Sequence, residues 1–313
     1  MDIKPQMGGT TTTNNADDIQ TYVNNVNVAT NPTDEPETSQ IMGLSEEEIK
    51  DPNAISITIA DKSNPIVVLF GPPACGKTMT LVRLTRYLRT IGYAVEPITS
   101  FRPATDAHYS KMCNEFPSMI GSSEAANSTK NISFMMVRVM DNVGRVVCQI
   151  LEAPGEYYYN PDDKDEPNVN FPRYVNAIKN SSNRKIWCYM VEPNWKYFDQ
   201  SLNYVSKIHK LKRNMRPADK AIFIFNKIDL TPFVITPGQV NMRSARKEVE
   251  DLYPGIFTPF RSRGVFSTSD NFELVPFHTG DYSKKIGGGF SFESGPDEYP
   301  KKLWQIILNY VKG

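Results

Sequence analysis

Two hydrophobic rhythms run along the chain. Short unbroken runs rich in β-branched and aromatic residues, PIVVLF (Pro65 to Phe70), IWCYMV (Ile186 to Val191) and AIFIF (Ala221 to Phe225), have the pattern of strands buried on both faces of a parallel sheet. ISITIA (Ile55 to Ala60) shares that bias and predicts a further strand ahead of them. FMMVRVMD, NVGR and VVCQILE predict a β-hairpin turning at Asn142 to Gly144. Between these lies a helical rhythm. In TMTLVRLTRYLRT (Thr78 to Thr90), Leu81, Leu84, Thr85 and Leu88 share one face, Arg83, Arg86 and Arg89 are left for solvent, and Gly92 supplies the stop. A last helix follows from Leu303, Ile306, Ile307 and Tyr310. The pattern predicts an α/β fold with a mostly parallel sheet and one antiparallel strand.

The N-terminal stretch has neither rhythm. It reads TTTTNN, NNVNV and NPTDEPETS, with Tyr22 its only aromatic, and offers too little apolar surface to offset the entropy of ordering it. Residues 1–43 are therefore expected to be a disordered acidic tail. LSEEEIKD, with Ser45 placed to cap, predicts a short helix at its end, and residues 44–313 form the folded domain. Charge sharpens the division. The whole chain of 313 residues balances 35 Lys+Arg against 35 Asp+Glu, yet residues 1–51 hold ten acids and two bases, a net of −8, which leaves +8 on the remainder.

A balanced total excludes a globally basic nucleic-acid binder. The basic run from Lys207 to Arg216 is read as a solvated helix face, with no nucleic-acid partner expected. No apolar run approaches the ~20 residues that span a bilayer. The first residues also lack the apolar core of a signal peptide, so the cytoplasm is the expected location. Four cysteines at 75, 113, 148 and 188 form no CxxC pair, and neither disulfide nor zinc is expected.

Candidate chemistry begins where the second strand meets the first helix. GPPACGKT, Gly71 to Thr78, matches GxxxxGK[ST] in its required setting, a buried strand before it and a helix after it. In such a loop the backbone of Gly71, Pro72, Pro73, Ala74, Cys75, Gly76, Lys77, Thr78 and Met79 wraps a phosphate chain at a helix N-terminus. Lys77 is expected to bridge the outer phosphates and the Thr78 hydroxyl to ligate magnesium. Directly after AIFIF stands NKID, Asn226 to Asp229. A carboxylate there can accept from N1 and N2 of guanine at once, whereas adenine would leave it unpaired.

Together GPPACGKT and NKID resemble the Ras-like, translation-factor-related class of P-loop GTPases. The resemblance covers most of residues 65–313 and implies a three-layer P-loop NTPase G domain that binds GTP or GDP with magnesium. Asn226 would brace the loops and the Lys227 stem would pack along the base. Where the class has DxxG, this chain has Glu152-Ala153-Pro154-Gly155. Glu152 would hold magnesium through water and the Gly155 amide would sense the γ-phosphate. Thr129, 23 residues ahead of Glu152, is placed by spacing as the threonine that closes over magnesium, with Thr99, Thr105 and Ser128 as competitors. Glu156 occupies the position of the class's water-orienting glutamine. A carboxylate there brings negative charge toward the γ-phosphate, so slow turnover is expected.

Two insertions, at about 93–128 and 236–296, are more similar to the bacterial paired-GTPase proteins than to small eukaryotic switches. For the final guanine loop the candidates are FSTSD and FHTGD; His278-Thr279-Gly280 is preferred because NFELVPF before it reads as the last core strand. The resemblance implies a nucleotide-dependent switch whose partner is a protein effector or a paired GTPase. A catalytically weak scaffold is the alternative that Glu152 and Glu156 favour, and an ATPase or kinase would have to treat NKID as coincidence. No arginine precedes Thr129 closely, so acceleration would require a partner, potassium or self-association. Tyr157 to Tyr159 are open to either a partner surface or a packing role.

Overall fold

The structure is a computed structural model that describes residues 44–122, 134–159, 170–195, 198–263, 268–284 and 290–313. The expected acidic tail and Thr129 lie outside the described residues. Helix α1 (Glu46–Lys50) starts as its sequence predicts: the Ser45 hydroxyl accepts from the Glu48 amide and the Glu48 carboxylate accepts from the Ser45 amide. The ISITIA run is corrected. It joins no sheet; its Thr58 amide donates to Phe101 O at 2.8 Å, Ile55 enters the core and Ile57 and Ile59 are half-buried. β-branched residues suit any extended segment that packs on one side, so propensity here selects a strap rather than a ladder.

Strand β1 (Ile66–Phe70) leads through the glycine-rich loop into α2 (Lys77–Thr90). The first insertion supplies β2 (Ala94–Pro97) and α3 (Ala107–Gly121), and the hairpin is β3 (Met135–Met140) with β4 (Val146–Glu152). Helices α4 (Gly155–Tyr158) and α5 (Arg173–Asn180) precede β5 (Lys185–Val191), and α6 (Ser201–Lys212) precedes β6 (Lys220–Phe225). The second insertion holds β7 (Val234–Thr236), β8 (Gln239–Val240), α7 (Met242–Leu252), β9 (Arg261–Arg263) and β10 (Thr268–Asp270). β11 (Glu273–Pro276) returns to the main sheet, and β12 (Asp281–Lys284) and β13 (Phe290–Glu293) form a hairpin before α8 (Glu298–Lys312).

Across the main sheet the order is β11-β6-β5-β1-β4-β3-β2. The first five pair in parallel and β3 opposes both of its neighbours, so one strand runs against the rest. Every residue of β1 and β5 is buried, which requires cover on both faces and gives three layers. The parallel strands therefore point their carboxyl ends the same way. Because β1 lies between β4 and β5, the crevice where open α/β sheets bind ligands opens at its end.

Three side-chain expectations fail. Arg86 is half-buried rather than solvated, its guanidinium donating to Ile120 O at 2.7 Å and to Ser294 Oγ at 3.1 Å. Arg83 does not face solvent: it is buried, and its guanidinium donates to Gly295 O at 2.9 Å and to Asp297 at 2.7 Å. The α8 end of the second insertion lies over that face of α2, a neighbour 212 residues away that helical periodicity cannot register. Lys207 likewise leaves the solvated face expected of its run; it is buried, with its ammonium 4.9 Å from the centre of the Phe171 ring. All four cysteines are buried and free.

Candidate nucleotide site

Between β1 and α2 the backbone turns left-handed at Ala74 (φ 60°) and at Gly76 (φ 88°). Such turns gather consecutive amides into an anion-binding concavity, here at the N-terminus of α2. A side chain at position 76 would stand 2.2 Å from Asn226 Nδ2, so only glycine allows this approach. Lys77 is buried, and its ammonium donates to Pro72 O at 2.9 Å across the loop it serves. Cys75 lines the loop with a thiol that burial pushes up to about 11, which makes it inert. Met79 has turned into the core of α2.

Beside the loop, the Thr78 hydroxyl donates to Glu152 Oε1 at 2.9 Å. Glu152 is the last residue of β4 and is buried. Three residues on, Gly155 starts α4 against the loop itself: a Cβ there would lie 2.2 Å from Pro73 N and 2.5 Å from Pro72 O. Glu156 follows Gly155 within α4. Tyr157, Tyr158 and Tyr159 are all buried, which favours packing for this run; the Tyr158 ring centre is 4.8 Å from that of Phe70.

The second corner forms at the end of β6. Asn226 is buried and its Nδ2 donates to Cys75 O at 3.0 Å, tying NKID to the phosphate loop. Lys227 adopts a left-handed backbone (φ 54°), and its ammonium pairs with the Glu192 carboxylate. Glu192 directly follows β5 and is buried. The Tyr253 hydroxyl brackets its backbone, accepting from Glu192 N at 3.3 Å and donating to Glu192 O at 3.2 Å. Burial raises the Glu192 carboxyl above its ordinary range against the pull of Lys227.

Asp229 keeps 36% of its side-chain surface open. The rest is enclosed, and that enclosure raises its carboxyl against the lowering influence of His278. His278 and Thr279 follow β11, whose register on β6 continues past Pro276: Phe277 N donates to Phe225 O at 2.8 Å, and Ile228 N donates to Phe277 O at 3.2 Å. These bonds set His278 beside Asp229, with Nε2 3.7 Å from Asp229 Oδ1 and 3.5 Å from Asp281 Oδ1. Thr279 Oγ1 accepts from the Tyr282 hydroxyl at 3.2 Å. In the rival FSTSD run, Thr268–Asp270 is β10, paired with β9.

The candidate residues of GPPACGKT, EAPG, NKID and FHTGD thus converge on one crevice. Glu192 and Tyr253 were missed. The available signal for Glu192 was an acid directly after a buried run, at the sheet edge that also carries GPPACGKT and NKID.

No protein-family profile matches the chain, and no curated protein matches it in sequence. Among solved structures it is similar to nucleolar GTP-binding protein 1 from Plasmodium falciparum (10% identity, TM-score 0.38, 82% of this chain and 92% of that one). It is similar also to Methanosarcina barkeri Roco2 RocCORdC bound to GDP (11%, 0.32, 82% and 51%). A third is the S. cerevisiae Ski7 GTPase-like domain bound to GTP (14%, 0.42, 80% and 50%). The chain spans about half the length of the Roco2 and Ski7 structures. At such scores these likenesses carry no argument; what the chain's own strand order shows is a mostly parallel α/β sheet with its ligand crevice at the carboxyl ends of the strands. No helix among the described residues is long and apolar enough to cross a membrane.

Proposed function

We propose that this chain binds GTP and GDP with magnesium and works as a nucleotide-dependent switch with slow, partner-assisted hydrolysis. The observation that carries the reading is the bond from Asn226 Nδ2 to Cys75 O. It ties the glycine-rich loop to NKID, so a ligand held by one would be presented to the other.

Each residue then has a task. Lys77, now on Pro72 O, would exchange that carbonyl for the β- and γ-phosphate oxygens, and the loop amides from Ala74 to Thr78 would bind the β-phosphate. Gly155, packed on the Pro72–Pro73 backbone, would turn its amide to the γ-phosphate. Glu156 would orient the attacking water and Thr129 would close over the site. Asp229 would accept from guanine N1 and N2, with the Lys227 stem along the base and its ammonium held by Glu192.

Magnesium fits the donors present: Thr78 and Glu152 bring hard oxygens together. Among the described residues no group of three His, Cys, Asp or Glu could hold a metal alone, so the nucleotide phosphates would complete the set. When bound, the ion neutralises charge on the β- and γ-phosphate oxygens. The loops around Thr129 and Gly155 would meet an effector or a paired GTPase.

Binding of fluorescent GTP and ATP analogues tests this reading. GTP should win by at least ~100-fold, and Asp229→Asn should shift preference toward xanthosine triphosphate; equal binding of ATP would overturn it. Glu152 and Glu156, where the class has aspartate and glutamine, favour a second reading as a non-hydrolysing scaffold. Phosphate release that is absent with and without potassium, and unchanged by Lys77→Ala, would select the scaffold.

A further inference from the structure

The carboxyl ends of the parallel strands carry the crevice, and their amino ends carry the charge. Residues 61–65 lead into β1, 141–145 into β4, 179–185 into β5 and 212–220 into β6, and Lys312 ends α8. These segments hold ten cations and three acids, with Glu273 at the start of β11 a fourth acid. Most of the +8 of the folded part is therefore gathered on one edge. Every one of the ten except Lys185 reaches the surface at least in part. The acids of these segments are held by backbone: Asp61 accepts from the amides of Ser63 and Asn64, Asp141 from those of Val143 and Arg145, and Asp219 from those of Lys185 and Arg216.

On this edge lies a groove of about 740 Å³, lined by the cations Arg145, Arg184 and Lys312, by Asp141, and by apolar Tyr93, Val147 and Leu308 among others. That volume is ordinary for a site holding a small polar group. The Arg184 guanidinium, donating to Val311 O at 2.8 Å, ties the end of α8 to the start of β5 across it. Apolar side chains stand out beside the charge. Val143, at the tip of the β3–β4 turn, is 67% exposed, and Ile91, two residues before Tyr93, is 44% exposed.

We infer that this edge docks on an anionic phospholipid surface, with Val143 and Ile91 entering the headgroup boundary and the groove receiving a phosphate-bearing headgroup among Arg145, Arg184 and Lys312. Cations with protruding apolar tips are what such a surface selects, because charge draws the protein in and the tips gain from leaving water. A nucleic acid would ask instead for ring faces on which its bases could stack. Here the protruding neighbours are aliphatic, and the nearby Phe260 and Tyr310 rings already carry the ammonium groups of Lys212 and Lys220, at 5.3 and 5.8 Å from their centres. Docked this way, the protein would turn its crevice away from the lipid and leave it open to solution. The inference stands apart from the guanine reading, since it uses the opposite end of the strands, and either can fail alone.

Cosedimentation of the full chain with vesicles is the test. At ~0.1 M salt the protein should pellet with phosphatidylcholine vesicles that contain roughly 30% phosphatidylserine, and stay in solution with phosphatidylcholine alone. Arg145→Ala combined with Lys312→Ala should weaken that binding by ~30-fold, as expected for two cations withdrawn from an anionic surface. Val143→Ser keeps the charge and should weaken it by ~5-fold through the lost apolar tip. All three positions are exposed, and an unchanged unfolding midpoint shows that the variants fold. Wild-type protein alone gives a further reading: raising the salt to ~0.5 M should release most of it.

Equal pelleting with both kinds of vesicle, or binding that ignores the charge variant, Val143→Ser or salt, would overturn the inference. Tighter binding to a single-stranded RNA than to the vesicles, lost in the same charge variant, would overturn it as well and give the face to nucleic acid.

Discussion

The two corners of the crevice are built by different means. The proposed phosphate corner is mostly main chain: eight contiguous residues, two left-handed turns and a lysine resting on its own loop, with Gly155 pressed against the same backbone. The proposed base corner is mostly side chain. Asn226, Lys227 and Asp229 are answered by Glu192 after β5, Tyr253 after α7 and His278 after β11. Backbone amides present the same donors whatever the residue, so a phosphate loop grips any nucleoside triphosphate; discrimination among bases needs placed side-chain donors and acceptors. Affinity and selectivity should therefore be separable in this molecule.

Inorganic tripolyphosphate, which occupies only the phosphate corner, can break or sharpen that separation. The largest effect should come from Lys77→Ala, which removes charge-assisted bonds to two phosphates and should weaken GTP, GDP and tripolyphosphate alike, by on the order of 10³-fold. A loss confined to GTP would contradict the division of labour. Gly155→Ala forces a methyl into the Pro72–Pro73 backbone and should destabilise the fold by about 3 kcal/mol, measured by denaturant unfolding; an unchanged midpoint would mean that α4 swings free of the loop.

On the other side, Glu192→Gln leaves the Lys227 ammonium without its carboxylate. GTP binding should weaken by ~10-fold with tripolyphosphate affinity unchanged. Smallest is a pH effect. Asp229 must be ionised to accept from guanine, and enclosure holds its carboxyl above the ordinary range in the free protein. Bonds from the base would stabilise the ionised form, so binding is favoured at higher pH and lost as pH falls through the raised value. GTP affinity should fall as pH is lowered from neutral toward that raised value, and Asp229→Asn should flatten the profile. A profile equally steep in that variant would place the titration elsewhere.

Legibility in the sequence followed the same line. GPPACGKT was readable because its contacts are local: a loop of fixed length between a buried run and an amphipathic helix closes on itself. The alternation of runs likewise predicted the parallel strands, the hairpin and the last helix. ISITIA misled because β-branching reports extended backbone and one-sided packing, and only a neighbouring strand with free amides makes a ladder. Arg83 misled because helical periodicity assumes that one face stays wet, and the segment around Gly295 and Asp297 covers it. Glu192 carried only a faint signal, since the cation it pairs with lies 35 residues on.

By itself the sequence determined the class of fold and marked a candidate phosphate loop and an acid that could specify a base, because each rests on short-range periodicity or on contiguous residues. Tertiary structure decided which distant side chains enclose that acid: β11 laid parallel on β6 sets His278 beside Asp229, and β5 next to β6 sets Glu192 under Lys227. Strand order is a property of the closed sheet rather than of any segment. The electrostatic environment of the base corner therefore came into view only with the fold.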